Sequence, residues 1–293
     1  MASFPSYTST WHSSTYVTIS PTRPELSLHG KSVVITGGGS GIGAAITEAF
    51  ARAGVAKLAI IGRRLEVLEA AAAKIKSIVH PGTQIIIAVA DVASQEQVTA
   101  AFDKIAHQFD QKPDILVSNA GYFGGRVPLD IENLKGVDAT LNTNIRGAFL
   151  VTKAFISIAA DNATIINISS AVEHLPPWPG FALYAASKAA AHKLMESFQL
   201  EYPSLHIVSL HPGQVMETDM SAKLTGLPDH IDDAELAGHF SVWLASSEAR
   251  FLKGKYVWAN WDADELISKA AEIQASPILT LTLEGFSSFK SLM

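Results

Sequence analysis

The sequence predicts an α/β fold: a single doubly wound, parallel, seven-stranded sheet with helices on both of its faces. Short β-branched runs recur along the chain, and they are continuously apolar rather than alternating. A parallel sheet needs such strands when both of its faces are covered. Helix-forming stretches separate these runs in regular alternation, which specifies right-handed crossovers. Hydrophobic residues make up 48% and charged residues only 17% of the 293, which predicts a large buried core.

The predicted elements follow one another along the chain in a regular order. Strands are predicted at 33–35, 58–61, 85–89, 115–117, 165–168, 206–210 and 256–258. Helices are predicted at 42–53, 65–79, 94–109, 141–160, 183–202 and 233–245. Because α/β folds commonly run to about 200–250 residues as one domain, we assign residues 30–261 to a single domain.

Two tails flank this predicted domain. Residues 1–29 form an N-terminal arm that holds twelve Ser or Thr, and residues 262–293 form a C-terminal extension. The arm is either a disordered tail or a segment that packs on the domain, since Trp11 and Tyr16 give it apolar surface to bury.

Composition excludes several classes of function. The net charge of −6 argues against nucleic acid as a partner. The chain has no cysteine, and its ten histidines show no metal-ligand spacing, so we expect no disulfide and no metal site. No stretch approaches about 18 consecutive apolar residues, and residues 1–29 lack the pattern of a signal peptide. We therefore expect a cytoplasmic protein without a membrane span.

A glycine-rich segment joins the first predicted strand to the first predicted helix. Glycines at this point allow a tight turn and a close approach to a pyrophosphate, while the helix N-terminus offers N–H groups to the anion. The order strand, glycine loop, helix indicates a Rossmann-type dinucleotide site rather than a simple turn. The candidate cofactor residues of this loop are Gly37, Gly39, Ser40, Gly41, Ile42 and Gly43.

The ends of the second and third strands bear on the choice of cofactor. The second strand ends at Gly62 and is followed by Arg63 and Arg64, where an acidic residue would suit NAD(H). Glycine followed by arginine leaves space and positive charge for a 2′-phosphate, so NADP(H) is favoured over NAD(H). The alternative is that both arginines are solvated residues at a helix start. Asp91 and Val92 follow the third strand, where Asp91 can meet the adenine edge or cap the next helix.

Tyr184, Lys188 and one serine of the pair Ser169-Ser170 form a candidate catalytic set. Tyr184 and Lys188 are four residues apart in a helix-forming run, so they project from one face. The lysine charge is expected to lower the pKa of the phenol from about 10. Ser169 and Ser170 end a buried strand, at the edge where open α/β sheets bind ligands.

With these motifs in place, the sequence resembles the classical short-chain dehydrogenase/reductase family. The motifs occur in the family's order and span about residues 30–260. Segments 23–28 and 261–266 resemble fungal members, many of which act in secondary metabolism. The matching elements are Thr36-Gly37-x-x-x-Gly41-Ile42-Gly43, Asn119-Ala120-Gly121, Asn144, Ser170, Tyr184-x-x-x-Lys188 and His211-Pro212-Gly213.

The resemblance implies a role for each matching residue. Tyr184 would be the general acid in carbonyl reduction and the base in the reverse direction, and Ser170, preferred over Ser169, would polarise the substrate oxygen. Lys188 would hold the nicotinamide ribose, and Asn144 would position a water that links Lys188 to solvent. The alternative explanation of Asn144 is a helix kink or a helix start. The alternative explanation of Asn119 is that it only terminates a strand. Further residues placed on the cofactor side are Asn119, Ala120, Gly121, Pro212, Gly213, Val215 and Thr218.

Two loops that border the substrate side depart from the family pattern. Ser170 and Tyr184 are separated by 14 residues, one more than usual, and the segment from Pro212 to Thr218 is also one residue longer. Apolar and aromatic residues here suit an apolar or aromatic carbonyl compound, although ordinary loop packing explains any one of them. The candidate substrate residues are Tyr122, His174, Trp178, Phe181, Met216 and Met220, with Phe123 and Leu224 nearby.

The sequence thus predicts an NADP(H)-dependent carbonyl reductase or alcohol dehydrogenase. Two alternatives stay open: an enzyme of the same fold that catalyses isomerisation, dehydration or cyclisation, and a dinucleotide-binding sensor without turnover. The helices at 141–160 and 183–202 are apolar around most of their surface, more than one buried face requires. In this family they commonly form subunit interfaces, so we expect a homodimer or homotetramer.

Overall fold

The computed structural model describes residues 6–79, 81–126, 134–215 and 231–283. Its centre is one parallel sheet in the strand order β3-β2-β1-β4-β5-β6-β7, which confirms the predicted doubly wound architecture. The order reverses between β1 and β4, which creates the crevice where such sheets bind ligands. The strands are β1 Ser32–Thr36, β2 Lys57–Gly62, β3 Gln84–Val89, β4 Ile115–Ser118, β5 Thr164–Ile168, β6 His206–His211 and β7 Tyr256–Trp258.

Helices cover both faces of the sheet. One hydrophobic core joins the sheet to α1, α2 and α7, and a second joins its other face to α3, α5 and α6. This two-sided burial explains why the strands are continuously apolar. The α-helices are α1 Gly41–Arg52, α2 Leu65–Lys76, α3 Gln95–Phe109, α4 Leu134–Leu141, α5 Ala148–Ile158, α6 Ala182–Glu201, α7 Ala234–Ala245, α8 Ala263–Ser268 and α9 Ala270–Ala275.

The predicted helix at 141–160 differs from the observed structure. Helix α4 already covers Leu134–Leu141, the segment Asn142–Gly147 is π-helical, and α5 ends at Ile158. A π-turn inserts one residue into the helical register and is frequent at functional sites. Asn144 lies within this π-helical segment. Asn is unfavourable in a regular helix interior, so the π-helical turn accounts for its presence at this position.

The described part of the N-terminal arm packs on the C-terminal part of the chain. The Trp11 ring meets the Trp258 ring edge-on at 5.8 Å. His12 Nε2 lies 2.8 Å from Asp262 Oδ2, and the Glu265 carboxylate accepts backbone N–H groups of the arm. Of the two alternatives for the arm, the structure therefore shows the packed one for residues 6–29.

Neither a membrane span nor a metal-ligand cluster is found within the described ranges. Every helix there is too short or too polar to cross a bilayer. Likewise, no group of three or more His, Asp or Glu side chains in these ranges is arranged to hold a metal ion.

Candidate active site

A cavity of about 350 Å³ opens at the carboxyl ends of the central strands, beside the point where the strand order reverses. It brings together residues that are distant in the sequence and that the motifs single out. The predicted residues that line it are Gly37, Gly39, Ser40, Gly41, Ile42, Gly43, Arg63, Arg64, Asp91, Val92, Asn119, Ala120, Gly121, Tyr122, Tyr184, Lys188 and Pro212.

The glycine loop packs helix α1 tightly against the end of β1. Gly37 has a φ of +68°, a conformation that favours glycine. A Cβ added at Gly43 would overlap the carbonyl oxygen of Gly37 and lie 2.6 Å from Asn119 Nδ2. Ser40 precedes α1 without a side-chain cap, so the first N–H groups of the helix are left for another acceptor. This cradle fits the pyrophosphate of a dinucleotide.

Asn119 lines the cavity and holds its backbone in place through hydrogen bonds. Its Nδ2 donates to the carbonyl oxygens of Thr36 at 2.9 Å and Gly37 at 3.4 Å. The backbone amides of Asn119 and Ala120 both donate to Thr36 Oγ1 at 3.0 Å. Asn119 therefore both follows the end of β4 and shapes the cavity.

The rim beyond β2 is basic. Arg63 and Arg64 are exposed and line the cavity directly after Gly62, where β2 ends. Across the cavity, Asp91 Oδ1 accepts the Ala93 amide at 2.9 Å, while Ser94 is the residue that caps α3. Asp91 thus caps the turn before α3 and not α3 itself.

Tyr184 and Lys188 line the cavity, whereas Ser170 lies beside the Tyr184 phenol and is not among the lining residues. The Ser170 hydroxyl is hydrogen-bonded to the Tyr184 phenol oxygen. Lys188 Nζ donates to the carbonyl oxygen of Ile168 at 2.8 Å and lies 5.9 Å from the centre of the Tyr184 ring. The two α6 side chains and the serine that follows β5 therefore lie together, as the sequence predicts.

The protonation chemistry of this group differs from the sequence-based expectation. Burial raises the pKa of Tyr184 to about 12, against the Ser170 hydrogen bond, which lowers it. Burial also lowers the pKa of Lys188 to about 8. The expected fall in the pKa of the phenol is therefore wrong for this structure, because desolvation is the largest effect on it and the Ser170 hydrogen bond is what lowers it. At neutral pH the phenol holds its proton and suits the role of a general acid.

Asn144 is buried in the π-helical segment and makes its hydrogen bonds within the protein. Its Oδ1 accepts the Tyr122 amide at 2.7 Å, and its Nδ2 donates to the Tyr122 carbonyl oxygen and to Ser187 Oγ, both at 2.9 Å. It therefore fixes the loop after β4 against α6. A Cβ added at Gly121 would lie 3.5 Å from both Asn144 Oδ1 and Lys188 Nζ, so both groups border Gly121.

Aromatic rings form the wall beside the phenol. The Phe123 ring lies edge-on to the Tyr184 ring at 5.0 Å and stacks on the Phe181 ring at 5.5 Å. Phe181 is only 5% exposed, so it supports Phe123 from behind, and the Trp178 ring meets Phe181 at 6.0 Å. Of this group, Phe123 lines the cavity, whereas Phe181 and Trp178 do not.

Three other predicted residues, His174, Gly213 and Val215, lie on the β6 and β7 side. His174 turns towards β7, where its Nε2 accepts the Trp258 indole N–H at 3.3 Å, and it does not line the cavity. Gly213 and Val215 follow β6 without lining the cavity. Three predicted site residues fall outside the described residues, namely Met216, Thr218 and Met220, as does Leu224.

Two buried residues beside the site were not predicted. Ser169 Oγ donates to the carboxylate of Glu173, whose other oxygen lies 2.6 Å from His192 Nδ1. The available signal was weak: Glu173 is the single acidic residue between Ser170 and Tyr184, and His192 follows Lys188 by four residues. Neither fact alone indicates a contact between them.

Comparison with known proteins gives consistent matches. A family model described as short chain dehydrogenase matches residues 31–226. A short chain dehydrogenase/reductase of Claviceps purpurea is 36% identical, over 91% of this chain and 90% of that protein. The short chain dehydrogenase/reductase AacuD of Aspergillus aculeatus is 33% identical, over 94% and 96%. The crystal structure of a short chain dehydrogenase from Burkholderia cenocepacia in complex with NADP is 29% identical with a TM-score of 0.72, over 81% of this chain and 99% of that one.

Proposed function

Because this chain belongs to the short-chain dehydrogenase/reductase family, we propose that it transfers a hydride between NADP(H) and an apolar or aromatic ketone or secondary alcohol. The observation that carries the proposal is the Ser170 to Tyr184 hydrogen bond, since Tyr184 and Lys188 both line the cavity. A sensor without turnover would not need this set intact. Isomerisation, dehydration and cyclisation by the same fold are the competing chemistries.

Ser170 and Tyr184 act on the carbonyl group, while Lys188 and Asn144 act on the cofactor side of the site. The Ser170 hydroxyl donates to the carbonyl oxygen and polarises it. The Tyr184 phenol gives its proton to the same oxygen as negative charge develops there, and takes it back in the oxidative direction. Lys188 holds the nicotinamide ribose by its ammonium group, and Asn144 positions a water behind it. When bound, the nicotinamide cofactor supplies or accepts the hydride.

The preference for NADP(H) is supported by the basic rim beyond β2. Arg63 and Arg64 offer guanidinium groups suited to a phosphate, and Gly62 leaves room beside them. The Burkholderia cenocepacia relative was solved with NADP. The other predicted cofactor contacts that line the cavity, from the glycine loop to Pro212, belong to the same proposal.

Replacing Arg63 by Ala tests the cofactor preference. We expect NADPH binding to weaken about tenfold to a hundredfold, because a charge-assisted phosphate contact contributes about 1.5–3 kcal/mol. NADH binding should change little, since NADH has no 2′-phosphate. Fluorescence titration of both cofactors measures this, and Arg64→Ala gives the share of the second arginine. An equal loss for NADPH and NADH would contradict the assignment.

A panel of carbonyl compounds tests the reaction and the substrate class. We expect NADPH oxidation with fluorenone, α-tetralone or anthrone, and much slower oxidation with dihydroxyacetone phosphate, because the Phe123 wall is apolar. Tight NADPH binding without turnover of any ketone would favour the sensor. Fungal relatives and an aromatic site together favour a role in secondary metabolism. The cytoplasm is the proposed location.

Association through the outer helices is a further part of the proposal. Phe149 on α5 is 38% exposed, and at the end of α6 Leu200 is 69% and Tyr202 40% exposed. The Phe149 ring lies 5.8 Å from that of Phe198, so these apolar groups are continuous across the two helices. Such a patch suits a homodimer or homotetramer interface. Light scattering that finds a monomer at micromolar concentration would refute it.

A further inference from the structure

A fully buried carboxylate lies directly behind the catalytic serine. Glu173 ends the single-turn helix Ala171–Glu173 that follows Ser170, and its side chain is 0% exposed. A buried charge is costly unless it is paired and hydrogen-bonded. Glu173 accepts from Ser169 Oγ, and its other oxygen lies 2.6 Å from His192 Nδ1, so both carboxylate oxygens have a partner.

His192 connects this carboxylate to helix α6. It lies one turn after Lys188, and its side chain is 4% exposed. Its Nε2 lies 3.8 Å from Glu196 Oε1, so carboxylates face both ring nitrogens. A positively charged ring would pair with both of them. Glu196 is further held by Lys193 Nζ at 2.7 Å.

These contacts fix the turn that carries the catalytic hydroxyl. The Glu173 amide donates to the Ser170 carbonyl oxygen at 3.1 Å, while the Glu173 carboxylate holds Ser169. On the other side, the Ala171 amide donates to His211 Nδ1 at 3.2 Å. Ser170 is thus held between two anchored neighbours, with its hydroxyl against the Tyr184 phenol.

The charge of Glu173 also acts on the groups that carry out the reaction. Besides His192, the titratable groups around it are Tyr184 and Lys188 on α6, Tyr256 in β7, and His174 beside it. Its negative charge raises the pKa of Tyr184, and it raises that of Lys188 against the lowering effect of burial. It therefore favours both the protonated phenol and the charged ammonium.

We propose that Glu173, paired with His192, is a positioning residue that fixes the Ser170 turn and sets the electrostatic field at Tyr184 and Lys188. This inference rests on the proposed function, since it acts through the residues assigned to the reaction there. Its consequence is a site biased towards donating a proton to a carbonyl oxygen. No step of the reaction requires Glu173 to exchange a proton itself.

The substitution Glu173→Gln tests the electrostatic part, because it removes the charge and keeps the shape. We expect the titration midpoint of Lys188 to fall by about one pH unit below that of the wild type. NMR of isotope-labelled lysine in the full chain measures it, and Lys188→Met identifies the resonance. Glu201→Gln, at the exposed end of α6, is the matched control and should leave the midpoint unchanged. An unchanged or higher midpoint in Glu173→Gln would overturn the inference.

Thermal unfolding of a double-mutant cycle tests the pairing. His192→Gln removes the ring that faces a buried carboxylate, so it should lower the unfolding temperature more than Glu173→Gln does, which leaves no carboxylate there. The double variant should recover part of that loss, because it no longer holds a buried carboxylate that lacks its partner. Additive losses would contradict the pairing. If His192→Gln does not fold, the double variant decides the question. A double variant that folds supports the pairing, and one that also fails to fold contradicts it.

Kinetics test the positioning part separately. Glu173→Ala removes both the Ser169 and His192 contacts, so we expect kcat for fluorenone reduction to fall about tenfold to a hundredfold with KM for NADPH unchanged. Glu173→Gln should restore most of kcat. A purely structural role predicts no such rescue and no shift of Lys188. If Tyr184→Phe stays active, the proposed function fails; if Tyr184→Phe is inactive while Lys188 does not shift, only this inference fails.

Discussion

Replacing Tyr184 by Phe should reduce NADPH-dependent ketone reduction by about a hundredfold to ten-thousandfold, the usual contribution of a positioned general acid. The phenol is the group that meets the Ser170 hydroxyl, and at a pKa of about 12 it still carries its proton at neutral pH. The Phe123 ring packs edge-on against the Tyr184 ring, which phenylalanine preserves. The variant should therefore fold and bind NADPH like the wild type. Steady-state kinetics and fluorescence titration measure the two properties.

Tyr7→Phe is the matched control for this substitution. Within the described residues, the buried Tyr7 hydroxyl has no hydrogen-bond partner, and its ring lies 5.8 Å from that of Trp261. Loss of this hydroxyl should leave turnover unchanged. Retained reductase activity in Tyr184→Phe would show that another group donates the proton. Loss of NADPH binding together with activity would instead indicate a structural defect.

The strands and the reactive set were predictable because their signals are local. Two-sided burial makes β2 continuously apolar, so the run at 58–61 predicts a strand observed at Lys57–Gly62. A spacing of four places Tyr184 and Lys188 on one face of a helix wherever that helix begins. Such signals depend on residues within one element, and the sequence contains them in full.

The π-helical segment and the carboxylate network depend on distant partners instead. Asn144 is held by Tyr122 and Ser187, which are 22 and 43 residues away. Glu173 reaches His192 across 19 residues. Neither pairing produces a periodic pattern in the sequence, because only the packing of the loops on α6 brings the groups together. The direction of the Tyr184 pKa shift was predicted wrongly for a related reason. The charge of Lys188 can be read from the sequence, whereas the burial that raises the pKa of the phenol cannot.

The substitution Gly43→Ala should strongly weaken cofactor binding through packing alone. The added Cβ would overlap the Gly37 carbonyl oxygen, a backbone atom that cannot move without separating α1 from β1. We expect NADPH affinity to fall about a hundredfold, or about 2.8 kcal/mol. The free energy of unfolding should fall by about 1–3 kcal/mol from overpacking. Fluorescence titration and thermal unfolding measure these effects.

Gly136→Ala provides the matched control for the glycine loop. Gly136 lies within α4, and no atom of the described residues approaches within 4 Å of an added Cβ there. Alanine stabilises a helix interior by about 0.5–1 kcal/mol relative to glycine, so this variant should be at least as stable as the wild type and bind NADPH equally well. If Gly43→Ala also binds NADPH normally, the anion cannot sit on the N-terminus of α1. The cavity would then have to accept its cofactor by a geometry other than the one these glycines create.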